Sequence, residues 1–370
     1  MIRLRNFLFA FICGDILFFL FPFPPAVWRA LIILTSLVII FKYGNGIKWD
    51  GTQKCSVIII LMVAFHFFIS HLWSSPAYTV LINTIVTLSG FISFGILGKK
   101  EALSDKFMVW AMCILVVLAI PYYYNFLRIL QTKIDADNIT NNASVLFVWI
   151  LPLAVALSKK KSSIFVVGIC VFYLLLASKR SNIIAGAIVL IIYVYMIFKD
   201  KDTRLLYKVM MLLGIVAVAI LAYKWAMSND YLMKRYYDTM EGNSSGRDEI
   251  YMGYWNMWAG NDSLIHTLFG WGYNGTGLSS IHSMAHNDWL EFLIDYGLIG
   301  VVILFAFVMS FFNRSRKANN PTSKLVLLSI FLVFLVKTSF SMCVVDDYTI
   351  IISMSYGYAL QMNKCHQMCD

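Results

Sequence analysis

The chain is organised around a polar stretch that reads NSSGRDEIYMGYWNMWAG (243–260), FGWGYNGTG (269–277) and AHNDWLEFLIDYGLIG (285–300). The sequence on both sides of this stretch consists of long apolar runs. Its richness in Trp, Tyr and Gly disfavours disorder, and long loops in compact proteins are usually functional if they are not disordered. We therefore expect functional residues here.

The composition is that of a membrane protein. The 370 residues are 60% hydrophobic and 14% charged, whereas soluble domains are about 45–50% apolar and about 25% charged. A helical span needs ~20 apolar residues, and such runs recur along the chain. Barrel strands are short and alternate between apolar and polar residues, so the sequence predicts an all-α polytopic membrane protein.

About twelve transmembrane helices are predicted, with a long periplasmic loop between the ninth and the tenth. Residues 1–226 would contain the first nine helices, 227–287 the loop with an amphipathic helix, and 288–370 the last three helices and a short tail. The approximate spans are 6–23, 26–41, 55–73, 78–97, 106–126, 143–158, 162–178, 181–198, 205–226, 288–311, 323–344 and 347–362.

The basic residues give the chain an orientation. The formal net charge is +10, and twenty of the 30 basic residues fall in alternate loops. Cytoplasmic loops carry such an excess of Lys and Arg, so both termini are predicted to be cytoplasmic and the loops at 127–142, 179–181 and 227–287 to lie outside. Because the charges form short clusters between apolar runs, we expect no nucleic-acid partner.

Several common chemistries find no support in the sequence. Most of the seven cysteines lie inside predicted spans, and the terminal CHQMC is too short to make a metal site alone. No HExxH, GxSxG, Walker or Rossmann motif stands in its proper context. We expect neither a metal nor a cofactor. The glycines at 270, 272, 275 and 277 follow no strand and predict a flexible outer loop.

A helix is predicted at the start of the polar stretch. Ser245 and Asp248 fit a capping box with Ser as N-cap, and Gly260 is a plausible end. Between them an aromatic stripe has helical spacing, which suits a helix lying on the membrane surface. The stripe contains Ile250, Tyr251, Tyr254, Trp255 and Trp258.

Two basic positions are candidates for binding an anion. Arg247 would lie in the first turn of that helix, where free N–H groups attract anions; a contact with phospholipid head groups is an equal alternative. Lys179 and Arg180 occupy a short outer turn. For Lys179 we favour snorkelling to head groups, and for Arg180 a functional role, since a tight turn fixes its direction.

His286 is a candidate general base at the start of the tenth span. A helix N-terminus favours neutral imidazole, the form that a base needs. Asp288, Glu291 and Asp295 recur on one helical face and could instead raise the pKa of the imidazole, so its charge state stays open. A hydrogen-bonded interfacial histidine is the alternative. Lys337, Asp346 and Asp347 could line the same cavity or form a structural pair.

These motifs resemble the O-antigen ligase/polymerase superfamily, the Wzy-type polymerases and WaaL-type ligases of bacterial envelopes. The family's outer-turn basic residue is matched by Lys179-Arg180-Ser181, and its small-Gly-Arg helix start by Ser245-Gly246-Arg247. Its G-x-G stretch and His-Asn-x-x-Leu-Glu helix are matched at 269–272 and 286–291, followed by Gly-Leu-x-Gly at 297–300. The resemblance covers about 175–305.

The resemblance implies a metal-independent, inverting glycosyl transfer at the periplasmic face of the bacterial inner membrane. The donor would be an oligosaccharide on undecaprenyl pyrophosphate, bound by Arg180 and Arg247, and His286 would deprotonate the acceptor. The partners implied are this donor and acceptor, the lipid bilayer and a chain-length-regulating membrane protein. The expected substrate-binding residues are Lys179, Ser245, Tyr254, Trp258, Asn287, Asp288 and Glu291.

Three functions remain open. We favour a polymerase of O-antigen, capsule or exopolysaccharide repeat units, because the chain is short and lacks an obvious acceptor-binding insertion. A ligase that transfers the glycan to lipid A-core or another acceptor would share the chemistry. A lipid-linked sugar flippase would need paired broken helices, and the sequence shows one break, at Gly14-Asp15.

Overall fold

The computed structural model describes residues 1–21, 23–70, 75–131, 143–176, 179–201, 203–228, 246–278 and 284–367, with the single positions 233 and 237. Within these residues the fold is all helical, with no strand. The helices are α1 (Ile2–Ile16), α2 (Pro25–Tyr43), α3 (Gly51–Ser70), α4 (Ser75–Lys99), α5 (Asp105–Gln131), α6 (Val145–Ala156), α7 (Lys161–Leu176), α8 (Arg180–Lys199), α9 (Leu205–Met227), α10 (Arg247–Ala259), α11 (Leu264–Phe269), α12 (Gly275–Leu278), α13 (Asp288–Arg316), α14 (Pro321–Phe340) and α15 (Ile350–Gln367).

The all-α prediction is confirmed, and each of the twelve predicted spans overlaps one long helix. Seven of these helices are long and apolar enough to cross a membrane by length and composition, namely α2, α3, α4, α5, α8, α13 and α14. The protein is therefore a multi-pass membrane protein. The count of twelve crossings and the three-part division of the chain stay predictions.

The centre of the bundle is formed by α4, α6, α14 and α15. Every residue of α6 is buried, so this helix is surrounded by other helices. In its apolar environment α6 needs no polar face, and its sequence VLFVWILPLAVA has none. The remaining long helices pack around this centre and leave apolar side chains such as Leu61, Phe65 and Val302 exposed on the outside.

Polar contacts join the basic loops at one end of the bundle. Lys99 pairs with Asp50 at 3.0 Å, Lys160 with Asp105 at 3.1 Å, and Lys364 with Glu101 at 2.6 Å. The sequence predicts from charge alone that these basic loops lie on the same side of the membrane. The three ion pairs show that the loops lie at the same end of the bundle. Which face of the membrane this end occupies stays a prediction.

The helix predicted in the polar stretch is present as α10, but it begins differently. Its N-cap is Gly246, in a left-handed conformation (φ +74°), and no side chain caps it. The predicted N-cap Ser245 lies outside the described residues, and the capping-box prediction was wrong because the helix starts one residue later. Asp248 and Glu249 in the first turn complement the helix dipole. Gly260 ends the helix, as predicted.

The glycine-rich stretch is docked on α13, in contrast to the predicted flexible loop. Trp271 N–H donates to the carbonyl of Ile294 at 2.8 Å, and Gly272 N–H to that of Asp295 at 3.1 Å. Those carbonyls are available because Gly297 (φ +65°) interrupts the helix there. A Cβ on Gly270 (φ +75°) would lie 2.5 Å from the Asp295 backbone. The glycine-rich stretch at 269–277 and the glycine-containing segment at 297–300 therefore pack against each other.

Candidate active site

The ends of four helices meet at the pole opposite the basic loops. Arg247 Nη1 donates to the carbonyl of Phe340 at 3.2 Å, Asn287 Nδ2 to that of Ser339 at 3.0 Å, and Lys179 Nζ to Ser341 Oγ at 3.3 Å. Three stretches far apart in the sequence thus converge on three consecutive residues at the end of α14.

The helix directions make this meeting point electropositive. The N-termini of α8, α10 and α13 all lie here, and each carries about half a positive charge on its free N–H groups. The C-terminus of α14 also lies here, and its last carbonyls already accept from Arg247 and Asn287. Such an arrangement can bind an anion.

His286 occupies a strained backbone position. Its φ is +52°, a left-handed conformation that residues other than glycine seldom adopt and that clusters at functional sites. The residues on both sides hold it there. Ala285 N–H donates to Glu291 Oε1 at 2.6 Å, and Asn287 Oδ1 caps α13 by accepting from Trp289 N–H at 2.9 Å and Leu290 N–H at 3.3 Å.

The surroundings of His286 favour neutral imidazole. Burial lowers the pKa of His286, and the nearby charges of Arg247 and Lys179 lower it further. Burial also lowers the pKa of Lys179 to about 6, together with repulsion from Lys337 and Arg247 and against the attraction of Asp346. The charge state that the sequence left open is therefore resolved toward an unprotonated base near neutral pH.

The outer turn before α8 contributes in a different way from the one expected. The amine of Lys179 is partly buried and donates to Ser341 Oγ, a contact within the protein where snorkelling to head groups was expected. Arg180 is the exposed first residue of α8, next to Lys179 in sequence. The pyrophosphate-binding role of Arg180 stays a prediction.

Asp288 fixes the floor of the site. Its buried carboxylate Oδ2 accepts from Cys343 N–H at 2.9 Å, Val344 N–H at 3.3 Å and Cys343 Sγ at 3.2 Å. These bonds hold the non-helical segment 341–346 directly after α14. The carbonyl of Asp346 in turn accepts from Thr87, in the middle of α4. Irregular backbone at such depth is tolerated where it is buried in protein or lines a cavity.

Lys337 belongs to a buried polar network beneath the site. It donates to Asn182 Oδ1 at 2.7 Å, and Asn182 Nδ2 donates to Ser144 Oγ at 2.8 Å. This network links α14, α8 and the start of α6. Lys337 was expected either to line the cavity of the site or to form a structural pair, and its hydrogen bond to Asn182 supports a structural role. Sequence reasoning missed Asn182, Ser341 and Cys343; for the last two, the polar break SFSMCVVDD (339–347) between two spans was the available signal.

Three of the expected substrate-binding side chains organise the loop itself. Tyr254 is fully buried, and its hydroxyl donates to the carbonyl of Thr276 at 3.1 Å. Glu291 is buried and also accepts from the Thr276 side chain. Trp258 donates to the carbonyl of Thr267 at 3.5 Å, and its ring lies 5.4 Å from that of Trp255, which is half exposed.

No candidate metal centre accompanies these residues in the described part of the chain: no group of three or more His, Cys, Asp or Glu side chains there could hold an ion. The described side chains and helix ends supply the site with a neutral imidazole, a guanidinium, a primary amine and three helix N-termini.

A multi-helix membrane protein with a cationic, histidine-containing pole is the class that the fold and site define. Residues 146–305 match the model of the O-antigen ligase family, Wzy_C, which confirms the resemblance to the O-antigen ligase/polymerase superfamily. The match contains Lys179, Arg247 and His286 but ends before α14. A search of curated proteins found no match. The match over residues 146–305 thus supports a membrane enzyme of the O-antigen ligase/polymerase type.

Proposed function

We propose that this enzyme polymerises oligosaccharide repeat units carried on undecaprenyl pyrophosphate, as O-antigen, capsule or exopolysaccharide. The observation that carries the proposal is the convergence of Lys179, Arg247 and His286 at three helix N-termini. A pyrophosphate-linked donor presents the anion that such a pole attracts. The reaction would occur at the outer face of the bacterial inner membrane, with both termini in the cytoplasm.

The cations act on the leaving group. Arg247, together with Arg180 and Lys179, binds the pyrophosphate, and a guanidinium can contact two phosphate oxygens at once. When the bond between the anomeric carbon and the pyrophosphate oxygen breaks, negative charge develops on that oxygen. Donors already in place stabilise this charge without reorganising, which is the most effective form of electrostatic catalysis.

His286 acts on the acceptor. Its neutral imidazole takes the proton of the acceptor hydroxyl as the oxygen attacks the anomeric carbon from the side opposite the leaving pyrophosphate, so the configuration inverts. The pyrophosphate also neutralises part of the charge of Arg247, and its negative charge favours the protonated form of Lys179. Because Arg247 lowers the pKa of His286, donor binding strengthens the base at the moment when it is needed.

A ligase is the second candidate, since the matching family is itself described as O-antigen ligase. It would transfer the glycan to lipid A-core or another acceptor with the same residues. We favour the polymerase because the described loop residues 246–278 dock on α13 instead of forming an acceptor-binding domain. A lipid-linked sugar flippase is less favoured, because transporters of this kind use paired broken helices and the sequence shows one break, at Gly14-Asp15. A chain-length-regulating membrane protein is the partner we propose for the polymerase.

Glycan profiling in a deletion strain tests the proposal. Complementation with His286→Ala or Arg247→Ala should leave single repeat units on the acceptor if the enzyme is a polymerase. Polymer stranded on the carrier lipid would identify a ligase. Lys54→Gln, an exposed lysine at the opposite end, is the matched control. Normal glycan ladders with both site variants, at wild-type protein levels, would refute an enzymatic role for this site.

A further inference from the structure

A cavity of about 330 Å³ lies at the end of the bundle away from His286, between α1 and the first half of α5. Its lining changes in character along its length. Arg5, Asn6 and Lys106 lie toward the helix ends, and Phe9, Trp110 and Ile114 toward the middle of α5. The residues that form the proposed active site take no part in it.

The polar part of the cavity is cationic. Arg5 Nη1 donates to the carbonyl of Ala102 at 2.6 Å, and its Nε and Nη2 donate to Asn6 Oδ1 at 3.0 and 2.8 Å. A guanidinium has five N–H donors, so these contacts leave two for a ligand. The guanidinium also stacks 3.8 Å over the Phe107 ring, which fixes its plane.

Lys106 adds a second positive charge, and the neighbouring acid does not cancel it. Lys106 is exposed at the rim of the cavity. Asp105, the adjacent carboxylate, pairs instead with Lys160 at 3.1 Å and accepts a hydrogen bond from Tyr358. The cavity therefore combines the charges of Arg5 and Lys106 without a carboxylate of its own among its lining residues.

The apolar part continues along a helix that can cross a membrane. Trp110 and Ile114 follow Lys106 at successive turns of α5, so Ile114 lies ~12 Å further along the axis at ~1.5 Å per residue. Their side chains are 61% and 37% exposed, on the surface that faces lipid if α5 spans the bilayer. Tryptophan prefers the membrane interface, which places Lys106 at head-group level.

We propose that this cavity binds one anionic phospholipid, with its phosphate on Arg5 and Lys106 and an acyl chain along Trp110 and Ile114. A free phosphate would match the cations but leave the apolar wall unused. A zwitterionic lipid brings its own ammonium into the cationic end. Basic pockets between transmembrane helices are a recognised way of binding anionic head groups.

Native mass spectrometry of the full-length protein tests the proposal. The detergent-purified protein should retain added phosphatidylglycerol and not phosphatidylcholine. Lys106→Gln should weaken retention about fivefold, the change expected for one Lys near an anionic surface, and Lys106→Arg should restore it. Trp110→Ala should also weaken it. Lys54→Gln, an exposed lysine at the same end but outside the cavity, should retain the lipid like wild type.

Three results would overturn the proposal. These are equal retention of the two lipids, an effect of Lys106→Gln no larger than that of Lys54→Gln, and displacement of phosphatidylglycerol by inorganic phosphate, which would assign the cavity to a free anion. Because Arg5 also holds Ala102 in place, its substitution would mix binding with folding and is not used. The readout requires no glycosyl transfer and is independent of the proposed function.

Discussion

Replacing Gly270 with alanine should release the glycine-rich stretch from α13. Gly270 has φ +75°, and a Cβ there would lie 2.5 Å from the backbone of Asp295. With ψ −169° this backbone conformation is one that essentially only glycine adopts, and it costs another residue ~1–3 kcal/mol; overpacking a well-packed site costs ~1–3 kcal/mol more. The docked state would therefore lose ~2–6 kcal/mol, whereas each of its two backbone hydrogen bonds contributes roughly 1 kcal/mol.

Hydrogen exchange measures this loss directly. In wild type the amides of Trp271 and Gly272 are bonded to Ile294 and Asp295, so they should exchange slowly. In Gly270→Ala their exchange should accelerate at least ~30-fold, since 1.4 kcal/mol corresponds to a factor of ten. Glycan polymerisation should fall with it, because the same stretch carries Thr276, the partner of Tyr254 and Glu291.

Gly168→Ala is the matched control, because a Cβ at this helical position of α7 would meet no atom within 4 Å. It should leave both exchange and activity unchanged, or stabilise the helix by up to ~1 kcal/mol. Unaltered protection of the Trp271 and Gly272 amides in Gly270→Ala would refute the docking of this stretch on α13.

Three further predictions concern the cationic pole. Asn287→Ala should destabilise the start of α13 by about 1 kcal/mol, the usual contribution of an N-cap, and should lower activity; thermal unfolding in detergent and glycan profiles measure the two effects. Asn287→Asp keeps the cap but loses the hydrogen-bond donor to the carbonyl of Ser339. Equal behaviour of the two variants would therefore contradict that contact. Arg247→Gln should raise the pKa of His286, because Arg247 lowers that pKa in wild type. The acid limb of the activity–pH profile, or the imidazole titration followed by NMR, should therefore move to higher pH. Arg247→Lys keeps the positive charge and should leave both curves in place. Lys179→Met should lower activity more than Lys179→Arg, measured as glycan chain length at equal protein level, and equal losses would speak against a charge requirement at this position.

The sequence predicts the helices of this protein well because apolar length and loop charge are local signals. The start of α13 at Asp288 and the end of α10 at Gly260 agree with expectation. Arg247 lies near enough to His286 to lower its pKa, and their joint role in one site stays a prediction. These predictions depend on residue types and spacing that a single span or loop already contains.

The parts that the sequence did not predict depend on long-range packing. Lys179 contacts Ser341 at the end of α14, and a turn of two adjacent basic residues gives no indication of this partner in the sequence. The glycines at 270 and 297 were separate motifs until the fold brought them into contact. Tyr254 has the spacing of a surface stripe, yet Thr276 lies over it and buries it.

The end of α14 explains how the cations can be held in place before any donor arrives. Helix C-termini attract positive charge, and here the carbonyls of Ser339 and Phe340 accept from Asn287 and Arg247. Without these acceptors, cationic and partly buried side chains beside three helix N-termini would repel one another. The pyrophosphate of the proposed donor would therefore meet hydrogen-bond donors that are already oriented, and little reorganisation would accompany charge development. The residues that orient the site thus include a helix end outside the matched family region of 146–305.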